Sequence, residues 1–133
     1  MIIRQTLLAI FRTLLQAFGK RNWWPGDTQL EIIIGAILTQ NTAWKNVEKA
    51  IINMKKHCIL DIKKLYKLDT AVLADIIKPS GFFNIKARRI KAFIQFVHDN
   101  YGGTLRYFQN MNTNTLRELL LSIHGIGHET ADS

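Results

Sequence analysis

Apolar residues recur every three or four positions along most of this chain, the spacing of helices that bury one face. In residues 1–19 they are Ile3, Leu7, Ile10, Phe11, Leu14 and Phe18. This segment predicts an amphipathic helix rather than a signal peptide, because Arg12 and Gln16 interrupt its apolar stretch. No segment alternates with the two-residue period of a strand, so we predict an all-α fold.

The most apolar helix is predicted from about Gln29 to Thr39. Thr28 and Glu31 have the spacing of a capping box, which marks the helix start. The segment is apolar nearly all round and is therefore expected to be central and buried. Asn41 or Thr42 is expected to cap the next helix. The inward positions of that helix are Val47, Ala50, Ile51 and Met54, and its solvent-facing lysines are Lys45, Lys49 and Lys56.

Further helical segments follow, separated by Pro79-Ser80-Gly81, Gly102-Gly103 and Gly125-Ile126-Gly127, which break helices. The predicted segments are Asp61 to Tyr66, Asp69 or Thr70 to Lys78, Ile85 to Asn100, a turn over Leu105 to Asn110, and Thr113 or Asn114 to Ile123. At 133 residues one domain is expected. It comprises an N-terminal helix (1–19), a helical core (28–110) and an incomplete C-terminal pair of helices joined by a glycine hairpin (114–133).

Lysine and arginine total 18 against 10 acidic residues, a formal net charge of +8. This excess favours an acidic partner such as nucleic acid, although many helical proteins are simply basic. The longest apolar run, Ile32 to Leu38, is too short to cross a bilayer, so no membrane partner is predicted. Cys58 is the only cysteine, so neither an intrachain disulfide nor a four-cysteine metal site can form. We expect no cofactor or metal in this chain, a half-buried thiol at Cys58, and a reducing intracellular location.

The C-terminal segment ends one helix, turns at Gly125-Ile126-Gly127 and begins another near Thr130-Ala131. The apolar residues Leu121 and Ile123 precede the glycines. This is the pattern of a helix-hairpin-helix, in which glycines permit a tight turn and let the backbone approach a phosphate. Such contacts position DNA without reading its sequence. The alternative is that Gly125 only terminates a helix.

With these residues in view, the chain resembles the helix-hairpin-helix DNA glycosylases of the endonuclease III superfamily. It is most similar to the branch that includes the bacterial 3-methyladenine DNA glycosylases. The segments that carry the resemblance, besides the hairpin, are Trp23–Gly26, Gly35–Val47 and Gly81–Ala87. The resemblance covers essentially the whole chain and implies an endonuclease III-like helical bundle.

The resemblance implies base-excision repair by a monofunctional DNA N-glycosylase that removes damaged, alkylated bases from double-stranded DNA. The implied DNA-binding residues are Gln40, Gly125, Ile126, Gly127, His128, Glu129 and Thr130. A glycosylase extrudes the target base into a pocket, and in this family a glutamine at the position of Gln40 fills the vacated stack. The alternative for Gln40 is that it caps backbone at a helix end.

The resemblance places the base pocket at Trp23, Trp24, Pro25 and Trp44. An indole face attracts cations and stacks on bases, which suits an electron-poor alkylated base. The alternative is that these tryptophans pack in the core. Basic residues of the long helix and its surroundings are expected either to contact phosphates or to remain solvated. They are Lys86, Arg88, Arg89, Lys91, Lys45 and Lys49.

Two departures from the family pattern concern the chemistry. Glu129 occupies the position of the lysine that forms a Schiff base in endonuclease III, and a carboxylate cannot form that imine. His128 is expected to be a solvent-facing turn residue rather than a substitute. The family's catalytic aspartate lies well downstream of the hairpin, so the resemblance assigns no catalytic residue within the chain, and Asp132 is not that residue.

We therefore expect the chain to be a fragment, truncated in the second hairpin helix and inactive alone, with any iron–sulfur cysteines further downstream. A cytoplasmic, DNA-associated location follows, and no oligomer is indicated. Two alternatives remain open. The first alternative is a non-catalytic helix-hairpin-helix module that binds DNA regardless of lesions. The second is a helical interaction protein whose glycine turn is only a connector.

Overall fold

The structure is a computed structural model that describes residues 1–20 and 26–133. Its described residues form helices and contain no strand, which confirms the all-α prediction. The helices are α1 (Ile2–Phe18), α2 (Gln29–Leu38), α3 (Trp44–Lys56), α4 (Ile62–Lys67), α5 (Thr70–Ile76), α6 (Phe83–Tyr101), α7 (Thr113–Leu121) and α8 (His128–Asp132). Two 3-10 turns, Lys78–Ser80 and Arg106–Asn110, connect them.

Helices α2 and α6 form the centre of the core. Ile34, Ile37 and Leu38 of α2 are fully buried, as the nearly uniform apolar composition of this helix predicts. Helix α6 is amphipathic and contacts α2, α4 and α5. Its buried apolar residues are Ala87, Ile90, Phe93, Ile94 and Val97. Because α2 is enclosed, the segment that follows it is held in a defined position beside the hairpin.

Three predicted helix starts are confirmed by their caps. The Glu31 amide donates to Thr28 Oγ1 over 3.1 Å at the start of α2. Asp61 accepts from the amide of Lys64 at 2.9 Å, and the Asp69 carboxylate accepts a bond of the same length at the start of α5. Each bond satisfies an amide that has no partner within its helix.

Three other predicted helix starts are wrong by one or two residues. Helix α3 begins at Trp44 and is capped by neither Asn41 nor Thr42, because Asn41 adopts left-handed backbone with φ 53°. Asn112 caps α7 through the amide of Asn114, in place of the predicted Thr113 or Asn114. The long helix α6 begins two residues before Ile85. Side-chain caps are interchangeable within a turn, so a sequence locates them only approximately.

The predicted amphipathic helix at the N-terminus is present as α1, but all of its residues are exposed. Leu7 is 61% exposed and Phe11 is 60% exposed, so the apolar stripe faces solvent. Among the described helices, none combines the length and the apolar character needed to cross a bilayer.

Two basic residues that were candidates for phosphate contact have other partners. Lys86 is 1% exposed and donates to the carbonyl of Ser80 over 2.6 Å. Burial lowers the pKa of Lys86, and the charge of Arg89 lowers it further. Lys91 donates to the carbonyls of Leu65, Tyr66 and Leu68 at 2.7, 2.8 and 2.7 Å. The phosphate interpretation is therefore wrong for Lys86 and Lys91, because both ammonium groups are used at helix ends.

The expectation of a half-buried thiol is also wrong, since Cys58 is exposed. Its φ of 53° puts it in the left-handed region at the end of α3. The amide of Ile59 donates to Met54 O over 3.2 Å and that of Cys58 to Lys55 O over 3.0 Å. These two bonds form a Schellman motif, in which glycine is the usual residue at the position of Cys58.

Candidate nucleic-acid interface

An open groove of about 1290 Å³ lies between the segment that links α2 to α3 and the turn that links α7 to α8. Every described residue to which the resemblance assigned DNA binding or the base pocket lines this groove. They are Gln40, Trp44, Gly125, Ile126, Gly127, His128, Glu129 and Thr130. Trp23, Trp24 and Pro25 lie outside the described residues. The fold thus brings together two segments that are about 85 residues apart in sequence.

Gln40 is hydrogen-bonded to the hairpin itself. Its Nε2 donates to Gly125 O over 3.2 Å and to Thr130 Oγ1 over 2.9 Å. Its Oε1 accepts a short hydrogen bond from the Arg89 guanidinium. Gln40 therefore lies in a polar cluster just after α2, as expected. One of its partners is a backbone carbonyl, as the alternative of a backbone-bonding role predicts.

Two isoleucines anchor the hairpin in the core. Ile123 and Ile126 are 5% and 7% exposed, and the Ile126 amide donates to Ile123 O over 3.1 Å. The DNA-binding role of Ile126 stays a prediction, with its side chain buried and its amide paired with Ile123 O. Gly125 has φ 89°, which favours glycine.

Gly127 does not share that conformation. Its φ is −90°, which any residue adopts, and it is the N-cap of α8. A Cβ built on Gly127 would meet no atom within 4 Å. Nothing within the fold therefore requires glycine here, whereas a phosphate approaching the α8 N-terminus would benefit from the open space.

An ion pair joins the two hairpin helices. Arg117 of α7 donates from Nε to Asp132 Oδ1 over 2.6 Å and from Nη2 to Asp132 Oδ2 over 3.2 Å. The same Nη2 lies 3.0 Å from His128 Nδ1. The hydrogen bond from Arg117 lowers the pKa of Asp132. Asp132 thus has a structural partner, and His128 is exposed, as predicted for a turn histidine.

The position of Trp44 is compatible with both alternatives that the sequence left open, core packing and the base pocket. It is half-buried and packs against the hydrophobic core, yet it also lines the groove. Its Nε1 donates to Glu48 Oε1 over 3.0 Å, one turn further along α3. Glu129 is exposed and lines the opposite wall of the groove.

Sequence reasoning gave Arg89 only a general phosphate role and missed its place in the groove. Arg89 is half-buried and lies between Lys86 and Ile90, which are buried on α6. An arginine at the edge of a buried helical face indicates a polar partner nearby, because its methylene groups pack on the core while its guanidinium extends to that partner. Within the described part of the chain, no cluster of three or more His, Cys, Asp or Glu side chains is placed to hold a metal ion.

The all-helical core, the glycine turn between α7 and α8, and a groove facing that turn define a helix-hairpin-helix protein. Residues 34–127 match the HhH-GPD superfamily of base excision DNA repair proteins. This match spans more than half of the chain, so the chain belongs to the HhH-GPD superfamily, and the predicted assignment to the endonuclease III type of glycosylase fold is confirmed.

Several relatives are similar to this chain. MJ1434 of Methanocaldococcus jannaschii, named as a candidate DNA repair glycosylase, is 45% identical over 130 residues, covering 97% of this chain and 59% of that protein. Endonuclease III homolog 2 of Saccharomyces cerevisiae is 28% identical over 111 residues, covering 77% of this chain and 27% of that protein.

Among solved structures, the 3-methyladenine DNA glycosylase MagIII of H. pylori, bound to 1,N6-ethenoadenine, superposes with a TM-score of 0.77 at 31% identity. The match covers 96% of this chain and 60% of that structure. The chain therefore spans about three fifths of the length of MJ1434 and MagIII.

Proposed function

We propose that this chain is the DNA-gripping part of a base-excision DNA N-glycosylase that acts on damaged, alkylated bases in double-stranded DNA. One observation carries the proposal: the groove is shared by Trp44, Gln40 and the hairpin, and Gln40 is bonded directly to the hairpin. A base extruded from DNA held at the hairpin would enter the region where Gln40 and Trp44 lie.

The chemistry of the groove walls supports a monofunctional enzyme. Glu129 stands where the resemblance implies the Schiff-base lysine, and a carboxylate offers no amine to the sugar. The half-buried indole of Trp44 lines the groove, and indole rings stack on bases and attract positive charge. We expect release of an alkylated base without amine-dependent strand cleavage.

The aspartate that the resemblance implies for catalysis is not among residues 1–133. We expect these residues alone to bind DNA without releasing a base, because they do not include the aspartate that would stabilise the cationic sugar. Release of methylated purines by a polypeptide extended through that aspartate, measured by chromatography of the freed bases, is the test of activity. An extended protein that binds damaged duplex and never releases a base would contradict the glycosylase proposal.

A second candidate is a non-catalytic DNA-binding module. It is favoured by the fact that Gln40 makes three hydrogen bonds within the protein, as a purely structural connector would. Such a module binds DNA weakly, with strong salt dependence and no preference for lesions.

Substitution of Trp44 separates the two candidates. Binding of fluorescein-labelled duplexes, with and without an alkylated base, is followed by anisotropy between about 50 and 200 mM salt, a range over which affinity that rests on phosphate contacts falls steeply. If Trp44 lines a base pocket, Trp44→Ala abolishes lesion preference and Trp44→Phe retains part of it. If the chain is only a module, the natural chain and both variants bind the two duplexes equally, and the substitutions lower only stability. No binding even at low salt would leave the helical interaction protein as the explanation.

A further inference from the structure

Arg89 packs on the hairpin glycine. A Cβ built on Gly125 would lie 2.8 Å from Arg89 Cδ and 3.0 Å from Arg89 Cβ, and closer still to Cγ. Real Cβ atoms essentially never approach carbon atoms this closely, so any other residue at position 125 would displace the Arg89 stem. Gly125 therefore meets two requirements, its left-handed φ and the space that Arg89 occupies.

The Arg89 guanidinium and the Gly125 carbonyl together fix which way the Gln40 amide points. Guanidinium groups only donate hydrogen bonds, so the group facing Arg89 must be the Gln40 oxygen. This orientation directs both hydrogens of Nε2 to the hairpin, where Gly125 O and Thr130 Oγ1 accept them. With Arg89 removed, the Oε1 of Gln40 loses its charged donor, and the amide is held only by its two Nε2 hydrogen bonds to the hairpin.

We propose that Arg89 is a positioning residue that orients Gln40 and seats the hairpin through Gly125, so that the two DNA-facing segments form one unit. The consequence for DNA rests on the proposed function. A correctly oriented Gln40 would fill the gap left by an extruded base, whereas an unrestrained one would pay the cost of ordering on each encounter.

The first experiment needs no DNA. The side-chain NH₂ signals of Gln40 are identified in 1H–15N spectra of the full chain by their loss in Gln40→Ala. We expect Arg89→Ala to move them part of the way toward the shift and exchange rate of an exposed glutamine, because only the two bonds to the hairpin then hold the amide. Arg89→Lys should produce a smaller shift, and Arg88→Ala, at the exposed neighbouring position, should change nothing. Unchanged Gln40 signals in Arg89→Ala would overturn the proposal.

A double-mutant cycle tests the contact with Gly125. Gly125→Ala is expected to lower the denaturant midpoint less in the Arg89→Ala background than in the natural chain, because the steric overlap is absent there. Equal losses in both backgrounds would contradict the packing argument. If Gly125→Ala prevents folding in the natural chain, folding of the double variant supports the proposal, and failure of both variants counts against it.

The second experiment measures the ratio of dissociation constants for an undamaged duplex and for the same duplex carrying a tetrahydrofuran abasic site. Arg89→Ala is expected to reduce this preference about tenfold, the size expected for one charge-assisted hydrogen bond. In a Gln40→Ala background Arg89→Ala should have no further effect. Equal weakening of both duplexes in both backgrounds would instead identify Arg89 as a phosphate contact. If the natural chain shows no preference while the spectra respond to Arg89, the DNA function fails and the positioning role stands.

Discussion

At the scale of single residues, two lysines on amphipathic helices have different roles because their surroundings differ. Lys91 donates to three carbonyls at the end of α4, where the helix leaves acceptors without partners. Lys49 on α3 is exposed. Both are lysines on amphipathic helices, yet one fastens α6 to α4 and the other is available to a partner such as DNA.

Lys91→Met is expected to lower the free energy of unfolding by about 2 kcal/mol, because three carbonyls lose a charged donor. The measurement is denaturant unfolding of the full chain. Lys49→Met, on the exposed face of α3, is the matched control and should change stability by less than about 0.5 kcal/mol. Similar effects of the two substitutions would contradict the assignment.

At the scale of elements, the ends of the helices depend on a few particular conformations. Helix α3 ends in a Schellman motif with Cys58 in the left-handed region. The hairpin helices α7 and α8 are joined by Arg117 and Asp132. Both features stabilise short helices that would be only marginally stable by themselves in water.

Cys58→Gly is expected to raise the free energy of unfolding by about 0.5–1 kcal/mol, because glycine adopts φ 53° without strain. Cys58→Ala keeps a Cβ in the same conformation and should bring no gain. Thermal or denaturant unfolding under reducing conditions compares the two. A gain in the alanine variant equal to that in the glycine variant would show that the thiol, not the backbone, is responsible.

The Arg117–Asp132 pair is expected to persist below pH 3.8, the ordinary pKa of an aspartate. Because folding lowers the pKa of Asp132, the unfolded chain binds more protons between the two pKa values. The stabilisation is therefore complete above the unfolded pKa and is lost as the pH falls through the folded one. A 13C titration of the carboxyl group measures this pKa. Arg117→Gln should return it toward 3.8, and an unchanged value would exclude the pair as its cause.

At the scale of the whole molecule, the net charge of +8 favours DNA, yet the groove contains an exposed carboxylate at Glu129. The effect of a charge on DNA affinity depends on its distance from the phosphates, since salt screens charges beyond about 10 Å. Glu118 is also exposed but does not line the groove. The two glutamates therefore test the location of the interface at equal net charge.

Glu129→Gln is expected to tighten duplex binding about threefold at low salt, through removal of one repulsive charge beside the phosphates. Glu118→Gln changes the net charge identically and should have a smaller effect. Anisotropy titrations at several salt concentrations measure both, and the difference should vanish as salt rises. Equal gains in duplex affinity for the two variants would show that the DNA does not bind in the groove.

The helices and several of their caps were predictable because the interactions behind them are local. Thr28, Asp61 and Asp69 bond to amides within three residues. The start of α3 was not predictable in the same way, because Asn41 adopts a left-handed conformation rather than capping the helix. Lys86 and Lys91 were misinterpreted because their acceptors lie on other segments, namely the 3-10 turn and the end of α4.

The sequence alone determined the helical class, the order of the helices and the glycine turn, since helical periodicity and caps act over a few residues. Gln40 and the hairpin were each recognisable by themselves. Only the tertiary structure decided that they bond to each other across 85 to 90 residues of chain, and that Arg89 lies between them. Such pairings depend on how α2 and α6 pack in the core, and no local pattern in the chain specifies that geometry.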